Sequence, residues 1–340
     1  MIDPSFRDRA GAAVETMRRA GSIGGDATAD EISQLEGGWS RHSYLLGVRS
    51  AEGRREYIVR VKPPGALLDT DLAQEYRTYT LLADEPVPTP AVHGLEESAE
   101  NPFEGPFFVM DRAPGSSPNV WRRRDRERLE ADWEDRTLGS ELVRYLVSIH
   151  AVAADRVESL LPQRDFPALV GHWRGVQEEM SLVRDPVIEE AYVWLLERPP
   201  SPVPASLVHG DYRIGNCLID EGRISAILDW ELAFCGDPRF DIGYVSLDYL
   251  AGKFLRPGSH LLGAVADREW FYSEYERLSG ASLDREVIRT FSVIGALMLI
   301  AILNTGVRMY ADERTTDIRM LWSRFAIPGL RQDIAALMDW

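Results

Sequence analysis

The stretch that decides the fold is LVHGDYRIGNCLIDEGRISAILDWELAFCGDPRFDIGY, Leu207–Tyr244. Within it Asn216 follows Asp211 by five residues, and Asp229 follows Asn216 by thirteen. Two apolar runs of β character, CLI at 217–219 and ISAIL at 224–228, are joined by the turn Asp220-Glu221-Gly222-Arg223. A hairpin of this length returns the chain, so Asp229 is expected beside Asn216 at the foot of the loop that carries Asp211. One base-like carboxylate and two hard oxygen ligands then converge. Phosphoryl transfer from a magnesium-bound nucleotide needs such a set, because Mg2+ prefers carboxylate and amide oxygens and the attacking hydroxyl has to be aimed.

The same order and spacing occurs in protein kinases, as a catalytic-loop D-x-x-x-x-N followed by a metal-binding Asp. Here His209-Gly210-Asp211 stands in place of H-R-D, and Asp229-Trp230-Glu231 in place of D-F-G. That variant resembles the aminoglycoside phosphotransferase family of kinase-like small-molecule kinases. The wording HGDYRIGN, AILDWE and GDPRFDIGY is most similar to the branch fused in animals to acyl-CoA dehydrogenases. The resemblance covers roughly residues 30–330. It implies an α+β, bilobal, protein-kinase-like fold with a β-rich amino-terminal lobe and a mostly helical carboxy-terminal lobe. The boundaries expected are 1–110 for the nucleotide-binding lobe with its leading helix, 111–115 for the linker, and 116–340 for the catalytic and substrate-binding lobe.

The resemblance also implies roles. Asp211 accepts the proton of the substrate hydroxyl or orients it. Asn216 and Asp229 hold Mg2+ against the phosphates. Arg213 occupies the place of a kinase lysine that touches the transferred phosphate; it either offsets charge there or braces the loop. His209 and Asp241 are expected to support the loop, and Trp230 to pack behind the metal site. Glu231 either caps the segment after Asp229 or extends the metal shell. In the first lobe, Gly37, Gly38 and Ser40 offer backbone amides and a hydroxyl to phosphate oxygens. Glu75, on a helix at 72–82, fits the glutamate that pairs with a strand lysine in kinase-like folds. The lysine position departs from the pattern: Tyr57-Ile58-Val59-Arg60 aligns best and supplies Arg60, while alternation leaves Lys62 on the same strand face as a second candidate. The backbone around Met110, Asp111 and Arg112 resembles the linker that hydrogen-bonds adenine. ATP is therefore the expected nucleotide, with GTP an open alternative.

Composition sets limits. The chain has 340 residues, 45% of them hydrophobic, enough for a substantial core, and a net charge of −16. That charge argues against nucleic acid as a partner, which needs a concentrated basic face. It is compatible with a cationic substrate, but an ordinary solvated acidic surface is the commoner cause. The basic cluster Trp121–Arg128 either receives an anionic substrate such as a coenzyme A ester or forms a solvated helix face. Cys217 and Cys235 make no disulfide framework, which points to a reducing, cytoplasmic setting. The charged amino terminus reads as no secretory signal. The longest apolar run, Phe291–Leu303, is shorter than the roughly 20 residues a membrane span needs and reads as a buried helix, with no membrane partner.

Residues 5–20 read as an amphipathic helix, 22–30 as a polar connector, and Tyr44–Val48, Tyr57–Val61 and Pro106–Met110 as strands. From Asp125 onward helices dominate, with His150 a core histidine. Trp133, Trp173, Trp194, Trp270 and Tyr272 either wall a substrate pocket or fill the core. Three function classes follow. The first is a kinase of a small-molecule hydroxyl, on an antibiotic-like alcohol or a hydroxyacyl thioester. The second is a catalytically silent nucleotide-binding protein of the same fold. The third is a metal-dependent hydrolase on His209, Asp211 and Asp229, which lacks a second histidine at ligand spacing. Oligomeric state is left open.

Overall fold

The computed structural model describes residues 4–35, 38, 40–253 and 258–340. The chain divides into two compact units, Met1–Asp84 with Thr89–Ala113, and Glu85–Pro88 with Pro114–Trp340. The short Glu85–Pro88 segment belongs to the second unit, where Ile227 N donates to Pro88 O at 2.7 Å and Arg156 pairs with Glu85.

The first unit runs through α1 (Pro4–Arg19), β1 (Thr28–Gln34), β2 (His42–Ser50), β3 (Gly53–Val61), α2 (Leu72–Leu82), β4 (Val92–Glu96) and β5 (Phe107–Asp111). The strands form one antiparallel sheet in the order β1-β2-β3-β5-β4. Alternation along β3 explains the layering. Tyr57, Val59 and Val61 are buried and share a core with Ala13, Val14 and Met17 of α1 and Phe107 and Val109 of β5. Ile58 and Arg60 lie on the opposite face. On that face Phe108 meets Tyr76 and Tyr79 of α2, with ring centroids 5.9 and 5.8 Å apart. Asp71 caps α2 by accepting from Ala73 N at 2.9 Å. β1 begins inside the stretch expected as a connector. Ile32 is its one buried residue, so it carries no alternating signal.

The second unit contains α3 (Arg123–Asp132), α4 (Thr137–His150), α5 (Ala154–Glu158), β6 (Gln163–Arg164), α6 (Phe166–Met180), α7 (Pro186–Glu197) and β7 (Ser206–Val208). It continues with β8 (Cys217–Asp220), β9 (Arg223–Ile227), β10 (Phe234–Gly236), α8 (Arg239–Val245), α9 (Arg268–Ser279), α10 (Arg285–Ala311), α11 (Ile318–Trp322) and α12 (Ile327–Leu337). β8 and β9 are the expected hairpin, closed by Glu221 and Gly222 at φ 47° and 79°. Both central residues at positive φ match the twist of the flanking strands. β6, β10 and β7 form a small sheet that the helical reading of this region passed over, since strands this short carry no period.

α10 spans 27 residues, well beyond the thirteen-residue apolar run at its centre. By length and composition it could cross a membrane, but its most apolar window is 72% buried inside the protein. Burial, rather than the expected shortness, is what marks it as a core helix. It packs on α8 at Gly243, where a Cβ would come 2.6 Å from the Phe291 Cβ, and Ser292 Oγ donates to Gly243 O at 2.8 Å. That contact fixes α8 on the core, and α8 carries two groups of the candidate site.

Candidate active site

β7 delivers the chain to the loop 209–216. Gly210 sits at φ 84°, and a Cβ there would lie 2.3 Å from the Leu232 carbonyl oxygen, so only glycine lets the backbone through. The buried Asp241 carboxylate of α8 accepts from His209 N at 2.8 Å and from Gly210 N at 2.9 Å. His150 Nε2 lies 3.1 Å from the same carboxylate, and its Nδ1 lies 2.8 Å from the Tyr275 hydroxyl. The core histidine of α4 is thus a further support of Asp241. Tyr212, fully buried, donates to Leu142 O at 2.6 Å and pins the loop to α4.

His209 is buried, accepting at Nδ1 from Asp211 N at 3.2 Å and donating from Nε2 to Leu228 O at 3.1 Å. These two bonds require a neutral ring with one donor and one acceptor. Burial holds the ring below its ordinary pKa, against the upward pull of the Asp241, Asp211 and Asp229 carboxylates. The ring also packs on Trp230 at 4.3 Å between centroids. His209 therefore ties the loop to the end of the hairpin.

Both carboxylate oxygens of Asp211 are held by side chains. Tyr244 OH donates to Oδ1 at 2.5 Å, Asn216 Nδ2 to Oδ2 at 2.7 Å, and Arg213 Nε reaches Oδ1 and Oδ2 at 3.0 and 3.2 Å. Burial pulls the Arg213 guanidinium downward, yet the Asp211 carboxylate and its neighbours win and its pKa rises. Arg213 in this structure braces Asp211. Cys217, beside Asn216, is fully buried, and burial pushes its thiol up to about 12, which leaves it a core filler.

Leu228 N donates to Asn216 O at 2.8 Å, so the hairpin brings the chain at Asp229 back to Asn216. Asp229 adopts φ 72°, ψ 55° and opens a 3-10 turn over Trp230–Leu232. The left-handed region costs a non-glycine residue about 1–2 kcal/mol, and such strain collects at functional sites. Asn216 Nδ2 also donates to Asp211 O at 2.9 Å, which commits the amide nitrogen and leaves Oδ1 as the oxygen donor. Among the described residues no cluster of three His, Cys, Asp or Glu could hold a metal. One amide and one carboxylate oxygen nevertheless fit Mg2+, which keeps several waters and takes phosphate oxygens as ligands. Glu231 is buried in the turn that follows.

In the first unit, Arg60 Nε lies 2.5 Å from Glu75 Oε1, and Arg41 Nε lies 3.4 Å from Glu75 Oε2. Lys62 pairs instead with Asp69 at 2.7 Å. Gly38 has φ 71°, and a Cβ there would meet Arg41 O at 2.4 Å. Ser40 is buried, while Gly37 lies outside the described residues. Met110 and Asp111 close β5, and Asp111 N donates to Ala91 O at 2.8 Å. That amide is thus taken by the main chain just before β4. The Asp111 carboxylate lies 2.6 Å from His93 Nε2, and Arg112 pairs with Glu56.

Two site residues escaped the sequence. Tyr244 stands three places after Asp241, hence on the same face of α8, which is the signal that could have found it. Arg41 directly follows Ser40 but shares no motif with Glu75, 34 residues away. The basic cluster forms an exposed mixed-sign face in which Arg123 pairs with Glu127 at 2.6 Å. Trp173, Trp194 and Tyr272 are buried, and Trp133 packs edge-on against Trp270 at 5.0 Å. A cavity of about 410 Å³ between α6 and α7 is lined by Gln177, Ile188 and Tyr192.

An antiparallel sheet whose strand arginine meets a helix glutamate, followed by a helical unit with Asp211 held against Asn216, defines a kinase-like phosphotransferase of the α+β class. The chain matches the model of the APH phosphotransferase enzyme family over residues 31–286, and it belongs to that family. Mouse acyl-CoA dehydrogenase family member 10 is 30% identical over 226 residues, which cover 64% of this chain and 20% of that relative. The chain thus spans about a fifth of that relative's length. A Ralstonia eutropha structure, described as a candidate aminoglycoside phosphotransferase, superposes with a TM-score of 0.70 at 20% identity, covering 96% of this chain and 97% of that one. The aminoglycoside phosphotransferase APH(4)-Ia, solved with AMP-PNP and hygromycin B, gives 0.57 at 18% identity, over 90% and 94% of the two chains. At these identities the two structures speak for the fold.

Proposed function

We propose that this chain moves the γ-phosphoryl group of ATP to a hydroxyl of a small molecule, with Asp211 as the base. The observation that carries this reading is the Asp211 carboxylate, fixed by Tyr244, Asn216 and Arg213. A carboxylate so restrained can take a hydroxyl proton without first reorganising its surroundings. Asn216 Oδ1 and Asp229 would hold Mg2+, which when bound neutralises phosphate charge. Arg60 grips the phosphates while Glu75 orients it, and a guanidinium can do so bidentately where a lysine makes a point contact. Gly38 and Ser40 add polar groups to the phosphate cradle. The main chain near Met110–Arg112 would receive the purine, adenine or guanine.

The acceptor is an antibiotic-like alcohol or a hydroxyacyl thioester. The structure solved with hygromycin B supports the first, and the relative named for acyl-CoA dehydrogenase supports the second. The two buried free cysteines suit a reducing cytoplasm. An ATP-consumption screen over aminoglycosides, macrolides, nucleoside antibiotics and hydroxyacyl-CoAs identifies the acceptor. With that acceptor, Asp211→Asn should lower kcat by roughly 10²–10⁴ while nucleotide affinity changes little. Activity within a few-fold of the parent refutes Asp211 as base. Magnesium-dependent ATP binding with no alcohol ever phosphorylated would leave a silent nucleotide-binding protein.

A further inference from the structure

Arg41 is 1% exposed, so a full guanidinium is buried in the first unit. Its Nε reaches Glu75 Oε2 at 3.4 Å, its Nη2 donates to Thr70 Oγ1 at 2.5 Å and to Thr70 O at 3.4 Å, and its Nη1 donates to Ser40 O at 3.4 Å. Its own carbonyl oxygen is the atom that leaves no room for a Cβ at Gly38. One side chain therefore joins Ser40, the connection after β3 and helix α2. Glu75 holds Arg60 on its other oxygen. Two guanidiniums thus share the two oxygens of one buried carboxylate. Of the two, Arg60 reaches the surface with 13% of its side chain exposed, while Arg41 has 1%.

We propose that Arg41 is a positioning residue that, through Glu75 and the Ser40 backbone, sets where Arg60 meets the nucleotide phosphates. The inference rests on the reading of this unit as the nucleotide site and adds the residue that orders it. While Arg41 occupies Oε2, Glu75 offers Arg60 a single oxygen. Without Arg41, both oxygens are available to Arg60, which is drawn toward a bidentate pair and away from phosphate. The same loss frees the Ser40 carbonyl, which Arg41 Nη1 now holds. Both effects weaken contacts to phosphate and leave contacts to the base untouched.

Calorimetric titration of the full chain with magnesium AMP-PNP, and separately with adenosine, tests this. Arg41→Met keeps length and apolar bulk but removes the charge. It should bind AMP-PNP about tenfold more weakly, within the range of couplings in one charged network, with adenosine affinity unchanged. Arg41→Lys should fall between parent and Arg41→Met. Adding Arg41→Met to Arg60→Ala should cost AMP-PNP little more than Arg60→Ala alone. Arg55→Met, at an exposed pair with Glu52, serves as the charge-matched control and should bind like the parent. Undiminished AMP-PNP affinity in Arg41→Met, or an equal loss for adenosine, overturns the proposal and makes Arg41 a structural residue. Should Arg41→Met not fold, parent-like AMP-PNP affinity in Arg41→Lys overturns it. A parent chain that binds no AMP-PNP sinks the nucleotide-site reading together with the inference, whereas parent binding with an indifferent Arg41 sinks the inference alone.

Discussion

Asp211 and His209 are two residues apart and are held for different ends. Asp211 is gripped by its carboxylate; His209 is gripped by both ring nitrogens and stays neutral. Burial sets its folded pKa below the ordinary 6.5, so the unfolded chain binds a proton more readily than the folded one. The contribution of His209 is therefore whole above about pH 6.5 and is lost as pH falls through the lower folded value. Protonation at Nδ1 would also face that nitrogen with the Asp211 N–H it now accepts from. Urea unfolding at about pH 7.5 and about pH 5.5 should show a larger acid loss for the parent than for His209→Gln. Equal losses in the two proteins would mean that His209 does not set the acid limit. Spacing made Asp211, Asn216 and Asp229 legible in the sequence, because a short hairpin fixes their separation. Arg41 was not legible as a site residue, because its partner lies 34 residues away and is joined to it only by tertiary packing, whereas Tyr244 left only its helical spacing from Asp241.

The pairing of β3 with α2 changes what a substitution at Glu75 should do. Glu75 is 0% exposed and serves two arginines, so Glu75→Ala removes a carboxylate from the buried Arg41 and the partly exposed Arg60 at once. Breaking a buried pair by removing one partner typically costs about 3–5 kcal/mol. Arg60→Ala should cost less stability, since Glu75 keeps Arg41 and Arg60 is partly solvated. Denaturant midpoints should therefore place Glu75→Ala below Arg60→Ala, with both weakening ATP use. A Glu75→Ala protein as stable as Arg60→Ala would show that Arg41 does not depend on this carboxylate. β3 could be read from the sequence because Tyr57, Val59 and Val61 alternate with Ile58 and Arg60 across a half-buried sheet. β1 and β4 could not, since each shows one buried residue, and β6, β7 and β10 are too short to show any period. α10 was visible as an apolar run but not at its ends, where polar residues extend the same helix past the run.

The net charge of −16 acts on every encounter of the protein with its substrates and separates the two acceptor classes. An acidic protein attracts a polycationic aminoglycoside and repels an anionic coenzyme A thioester before any specific contact forms. Salt shortens the reach of that field, from a Debye length of about 30 Å at 0.01 M to about 8 Å at 0.15 M. With magnesium ATP saturating, kcat/KM for a cationic acceptor should fall several-fold as salt rises across that range. For an anionic thioester it should hold or rise, because screening weakens the repulsion. The arginines at 122–128 could reverse the second case locally, since they gather positive charge on α3 and the turn before it. If that cluster receives the thioester, its kcat/KM should fall with salt, and Arg122→Gln with Arg124→Gln should abolish the dependence. A salt dependence untouched by those two substitutions would return the cluster to a solvated helix face. A cationic acceptor whose kcat/KM is indifferent to salt would show that the acidic surface has no part in substrate capture.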